Sequence, residues 1–402
     1  MCWLRGIGVL ARQVFAPAAA VAVLGVGLLW WSAAMPQAPL RAHVRAALDA
    51  GEMKENYPRT LWFRPLDMFT ECFGLGVATQ LRPTWDSVLA MNGARECRGL
   101  HEAAARDFPP TTVYARYWHG YQIALKPLYT WFSSGTVRLL TSLAGVVLLL
   151  GLYCAAAARM GRGYAAALTL SFVLPGTLTV FPLATHGVQL WVVLGGSILC
   201  CLRRGPVPPL GLFSGIGAAS ALVSFLNMES LSLGLALLCW CVIRWVEGDA
   251  PWRVFRAGLA LCAAWTVGFL SLWLLKWGLA WLVLPAGGDF FGRTLALYPV
   301  RSVSMVAQAV AANVLRMPWT VSLLAVGGLA WRFVRKGLRV PSGMAALLLP
   351  AAIPFFWLCL MPGHSEKHSF FVTVILWPSM AALCMALLGD IRPSRGNREG
   401  AA

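Results

Sequence analysis

Apolar positions in this chain come in long, nearly unbroken runs rather than in the alternating or striped patterns of a soluble fold. The first run, FAPAAAVAVLGVGLLWWSAAM, covers about residues 15–35. Others follow at about 137–157, 163–181, 187–202, 209–226, 230–246, 255–275, 318–332, 341–361 and 369–389. A helix needs about 20 apolar residues to cross a bilayer. The pattern therefore predicts an all-α, polytopic transmembrane bundle of about ten spans, one integral membrane domain over residues 1–402. Two stretches, about 36–136 and 276–317, are too long to be simple connectors and are rich in Trp, Tyr and Phe. Both are expected to hold helices lying at the membrane interface. The tail at about 391–402, ending RPSRGNREGAA, reads as disordered.

Composition agrees. Hydrophobic residues make up 58% of the chain and charged residues only 12%, against about 25% charged in a soluble domain. The net charge of +17 does not point to nucleic acid, because the basic residues form no single patch. They recur between apolar runs, at Arg159 and Arg162, Arg203 and Arg204, Arg244, Arg253 and Arg256, then Arg332, Arg335, Lys336 and Arg339, and finally Arg392, Arg395 and Arg398. Short basic loops stay inside, so both termini are expected on the inner side and both long segments on the outer side. Arg5 and Arg12 before the first run give the order of a signal peptide. The length of that run and its closing Trp30 and Trp31 favour an anchoring span instead.

Most of the 11 cysteines fall in apolar runs, where a thiol behaves as a small hydrophobe. Cys72 and Cys97 both lie in the first outer segment, where an oxidising compartment would allow a disulfide. Two free thiols are the alternative. No C-x-x-C or His-rich spacing marks a structural zinc site.

Ionisable groups at membrane depth are costly, and that makes them functional candidates. LDMFTECF places Asp67 and Glu71 four residues apart, on one helical face, in a chain with only 16 acids. Such a pair can supply a general base or grip a cation; it also fits a solvated face. YARYWHGYQIALKP brings Arg116, His119 and Lys126; FLNMES brings Asn227 and Glu229; LLKWGLAW brings Lys276. MPGHSEKHSFF brings His364, Glu366, Lys367 and His368. His119 also fits a purely structural position. Glu229 also fits an ion pair with Lys276, Arg293 or Arg301. His364 and His368, at helical spacing, could ligate metal or hydrogen-bond a phosphate. Together these groups collect on the outer side, beside aromatic-rich segments, as a substrate that is part lipid and part anion requires.

A long first outer loop with an early acidic motif, followed by many spans with short inner loops, resembles the GT-C superfamily of membrane glycosyltransferases. LDMFTEC, RYWHGYQIALKPL, LLKWGLAWL and PGHSEKHSFF look like markers of a bacterial group with that layout. The resemblance implies transfer of a sugar from a polyprenyl-phosphate donor to a glycan or glycolipid acceptor, on the outer face of the cytoplasmic membrane. It also implies a catalytic base in the first outer loop, with Asp67 the best match and Glu71 second. Some of Arg116, His119, Lys276, His364, Lys367 and His368 would stabilise the leaving phosphate. No Asp-Asp or Asp-x-Asp pair occurs, which leaves a divalent cation as an open cofactor. The rival reading is a flippase or transporter of a lipid-linked glycan. Transporters place ionisable groups near the midplane and often carry inverted repeats, and no internal repeat stands out in this chain.

Overall fold

The structure, a computed structural model, describes residues 2–53, 66–91, 93, 97–105, 114–225, 227–284, 302–317 and 344–387, with isolated positions between 327 and 334. Among these there is no β-strand. α1 (Cys2–Ala33) leads into the shorter helices of the first long segment: α2 (Gln37–Asp49), α3 (Met68–Ala78), α4 (Trp85–Ala90), α5 (Cys97–Ala105) and α6 (Gln122–Trp131). Next come α7 (Ser134–Met160), α8 (Arg162–Leu170), α9 (Ala184–Leu202), α10 (Leu210–Val223), α11 (Glu229–Val246) and α12 (Pro251–Val283). α13 (Val303–Leu315), α14 (Met344–Leu360), α15 (Pro362–Lys367), α16 (Ser369–Val372) and α17 (Trp377–Leu387) complete the described chain.

Among the described residues, five helices are long and apolar enough to cross a membrane: residues 11–33 of α1, then α7, α9, α11 and α12. Others of the ten predicted spans are shorter or interrupted among the described residues, for identifiable reasons. The run at 163–181 is broken, since α8 stops at Leu170 and two short 3₁₀ turns flank Pro175 and Gly176. Pro175 has no N–H to continue a helix and Gly176 takes φ +80°. α10 has 14 residues and α14 only 17, the latter carrying Pro350 and Pro354. α12 is longer than expected, with 33 residues; it carries Lys276 and so absorbs the start of the second outer segment. The run at 318–332, most of that segment and the 391–402 tail lie outside the described residues.

Burial separates the centre of the bundle from its rim. The most apolar stretch of α11 is 94% buried, against 17% for α1 and 22% for α7. α11 is therefore the central helix, while α1 and α7 turn Leu24, Leu28, Leu139, Leu143 and Val147 outward, as a lipid solvent permits. α10 and α12 cross so closely that a Cβ on Gly217 would lie 2.1 Å from the Trp265 carbonyl oxygen, and one on Gly268 would lie 2.0 Å from that of Ser214. Small residues bring helix backbones together in this way where no hydrophobic drive acts between helices.

The two ends of the bundle differ chemically. At one end the last turns of α7, α9 and α11 meet. Arg159 donates to the carbonyls of Cys201 and Arg203 and pairs with Glu247, while Arg244 pairs with Glu247 at 2.5 Å and Asp249 at 2.6 Å. Guanidinium groups suit helix C-termini, where unpaired carbonyls point. At the other end α2–α6 pack over the helices. α3 is buried along most of its length, and the Cys72–Cys97 disulfide is formed, with Cα atoms 5.0 Å apart.

Candidate functional site

Asp67 and Glu71 begin on neighbouring turns but reach different partners. Asp67 is the N-cap of α3, where its Oδ1 accepts from the Thr70 N–H at 3.1 Å. An aspartate there satisfies a backbone donor that the helix cannot. Its Oδ2 faces His186 Nε2 at 2.8 Å, with both side chains buried. Glu71 is fully committed to the start of α9. It accepts from the backbone N–H groups of Ala184 and Thr185 at 3.0 Å each, from the Thr185 hydroxyl at 2.6 Å and from the Tyr129 hydroxyl at 3.2 Å. A carboxylate at a helix N-terminus answers both the orphan donors and the dipole. Gly74 makes the approach feasible, because a Cβ there would lie 2.5 Å from Thr185 Cγ2. Glu71 thus anchors α9 to α3.

From His186 the polar contacts continue inward. Asn227 Nδ2 donates to His186 Nδ1 at 3.1 Å, and Asn227 Oδ1 lies 3.1 Å from the Ser224 hydroxyl, which also contacts Glu229. All five side chains are at least nine-tenths buried. On the other side of His186, its ring meets Phe371 at 5.5 Å, Phe371 meets His368 at 5.3 Å, and His368 meets His364 at 4.7 Å. α13 sets this histidine pair in place, since Asn313 donates to the Ser365 carbonyl at 2.9 Å. Burial lowers the proton affinity of His368, against the opposing pull of the Asp67 charge. Lys367 is exposed beside it. Asp67, Asn227, Glu229, His364, Lys367 and His368 are accordingly brought into one neighbourhood.

The remaining candidates serve the frame. Lys126 Nζ donates to the carbonyls of Ala33 and Leu81 at 2.8 and 2.9 Å, tying the end of α1 to the turn after α3; burial, then the Arg82 charge, pull its pKa down to about 7. Lys276 Nζ donates to Val88 and Leu89 at 3.2 and 2.8 Å and lies 5.1 Å from the Trp118 ring, so it secures the last turn of α4 and is not the ion-pair partner considered for Glu229. Arg293 and Arg301, the other partners considered, lie outside the described residues. His119 sits at φ +53° among Phe73, Tyr114, Tyr117, Tyr121 and Phe225. Its nitrogens face the Tyr121 hydroxyl at 2.9 Å and the Tyr114 carbonyl at 3.2 Å. Burial, then the Lys276 charge, lower its pKa to about 3 despite that carbonyl. Arg116 is half-buried, its guanidinium 5.6 and 5.7 Å from the Tyr114 and Tyr117 rings.

His186 was missed by the sequence reading. It falls one residue before the run at 187–202 and so passed for loop, although an imidazole at a membrane boundary is itself a signal. Among the described residues no group of three or more His, Cys, Asp or Glu side chains converges to hold a metal ion. Comparison of the chain with family models, with curated proteins and with solved structures finds no match in any of the three.

Proposed function

We propose that the chain is a membrane glycosyltransferase that moves a sugar from a polyprenyl-phosphate donor to a cell-envelope acceptor on the outer face of the membrane. The observation that carries this reading is the buried Asp67–His186 pair beside the His364–His368 pair. Each Asp67 oxygen accepts one hydrogen bond and retains a lone pair for an incoming hydroxyl. In the proposed step Asp67 takes the acceptor proton, the acceptor oxygen bonds to the anomeric carbon, and the bond to phosphate breaks with its electron pair leaving on polyprenyl phosphate. His364, Lys367 and His368 offset the phosphate charge. The disulfide beside Glu71 supports an oxidising, outward side for this end.

Asp67→Asn is the direct test, because asparagine also caps helices well and the fold should survive. General-base loss predicts a fall in transfer of roughly 10²–10⁴-fold, measured as sugar release from a radiolabelled donor by detergent-solubilised protein. Unchanged turnover would remove Asp67 from the role. The flippase reading keeps one supporting observation, the segment interrupted at Pro175 and Gly176, since broken helices line many transport sites. Movement of intact labelled lipid across vesicles, without sugar release, would select it.

A further inference from the structure

Three residues along α9 from His186, Gln189 borders a cavity between α9, α10 and α11. Its side chain is 2% exposed, and neither its amide nitrogen nor its amide oxygen is hydrogen-bonded among the described residues. A buried amide in that state is costly, because both atoms give up water and regain nothing. The cavity has a volume of about 10 Å³, close to the smallest that holds one water. Ser220 and Ser224 from the end of α10, with Glu229 and Ser232 from the start of α11, line the same space. Each is at least nine-tenths buried. Ser232 is already engaged, since Trp265 Nε1 donates to its hydroxyl oxygen at 3.1 Å, Ser220 lies 2.6 Å from that oxygen, and the Glu229 carbonyl lies 2.8 Å away. Ser220 differs. In either sense of its bond to Ser232, its oxygen keeps a lone pair for a further donor.

We propose that this cavity is a binding site for a single water molecule, which bridges Gln189 on α9 to Ser220 on α10. The chemistry of the wall selects the ligand. Whichever way the Gln189 amide is turned, it presents one N–H-bearing edge and one bare oxygen. An apolar occupant leaves both stranded. A metal cation answers the oxygen and opposes the N–H, and an anion does the reverse. Ammonium carries only donors, so it too fails the N–H. Water both donates and accepts, and a buried water typically makes about three hydrogen bonds to such groups. Here they are the amide N–H, the amide oxygen and the Ser220 lone pair. The Glu229 carboxyl group borders the space, but the bridge uses neither its charge state nor its other contacts. A bridging water is nearly as good as a direct hydrogen bond. It therefore ties α9 to α10 one helical turn further into the bundle than the Asp67–His186 pair.

The site stands whether or not Asp67 serves in sugar transfer, and it is tested without substrate. Nitrogen NMR of the full chain in detergent, with the glutamine side chains labelled, uses water itself as the probe. The Gln189 amide signal is recognised by its loss in Gln189→Met, a change of similar size that removes both polar atoms. In the wild-type protein that signal should show a dipolar cross-peak at the water frequency, with the sign of a held molecule. Ser220→Ala removes the facing hydroxyl, so it should shift the same signal and leave the other glutamine signals in place. That second variant identifies the Gln189 signal even if Gln189→Met fails to fold. Replacing all sodium and potassium in the buffer by choline should leave the signal unmoved. Absence of the water cross-peak would overturn the site, and a Gln189 amide indifferent to Ser220→Ala would overturn the bridge. A shift on removal of the alkali cations would overturn the ligand and assign the cavity to a metal ion. Transfer by Asp67→Asn decides the transferase reading alone and leaves these signals as the separate measure of the water site.

Discussion

His119 is held neutral by its surroundings, and that has a cost that depends on pH. Its folded pKa of about 3 lies below the ordinary value of about 6.5 for the unfolded chain. Between these values the unfolded chain binds a proton that the folded chain does not, so stability is complete above about pH 6.5 and declines as pH falls toward 3. At about 1.4 kcal/mol per unit the loss could reach roughly 5 kcal/mol. His119→Asn, which tolerates the positive φ at this position, should flatten the pH dependence of the unfolding midpoint in detergent over that window. An unchanged slope would place the titration elsewhere. The residue scale is also where sequence reading reached least far. RYWHG and LLKWG drew attention because they carry charge near a membrane, yet His119 is closed in by rings and Lys276 by backbone carbonyls. A one-dimensional pattern registers that a charge is present but not which distant carbonyl it meets, and Lys276 meets one 187 residues away.

Elements were more legible, because apolar runs and breakers act locally. The runs at 137–157 and 230–246 correspond to α7 and α11, and the Pro175–Gly176 break follows from ordinary backbone chemistry. What the pattern could not supply was how closely helices approach. Gly217 and Gly268 each face a backbone carbonyl across the α10–α12 crossing, and backbone cannot swing aside as a side chain can. Gly268→Ala should force the two helices apart and lower the unfolding midpoint, whereas Gly278→Ala on the same helix, with open space around it, should leave it unchanged. Equal effects would mean that helix propensity, not the crossing, governs both. The junction of α3 with α9 is similarly specific. In Glu71→Gln an amide NH₂ would oppose donors that now meet a carboxylate oxygen, stranding at least one buried group at about 1–3 kcal/mol. The expected result is a less stable protein, seen as an earlier melt, with the proposed transfer impaired only in proportion to the folded fraction.

On the scale of the whole molecule, the bundle has a disulfide-bearing acidic end and an arginine-bearing end, separated by the length of α9. The N-terminus of α9 rests on Glu71, while its C-terminal carbonyls are held by Arg159. Both ends are fixed to the same helix, so they cannot share a side if α9 crosses the bilayer. The proposed orientation puts the arginine end inside, where short basic loops are expected, and the acidic end, with its disulfide, in an oxidising exterior. Asp86 and Arg204 are exposed at the two ends. A membrane-impermeant thiol reagent applied to intact cells should therefore label Asp86→Cys and spare Arg204→Cys, with the preference reversed in inside-out vesicles. Labelling of both from one side would mean that α9 does not cross. The reversed preference in intact cells would turn the Asp67–His186 pair inward and remove it from any outer-face substrate. Reduction adds a consequence for the same end. Opening the Cys72–Cys97 bridge frees a loop whose closure is worth roughly 3 kcal/mol, so reductant should weaken the acidic end first, and Cys72→Ser should melt early with or without it.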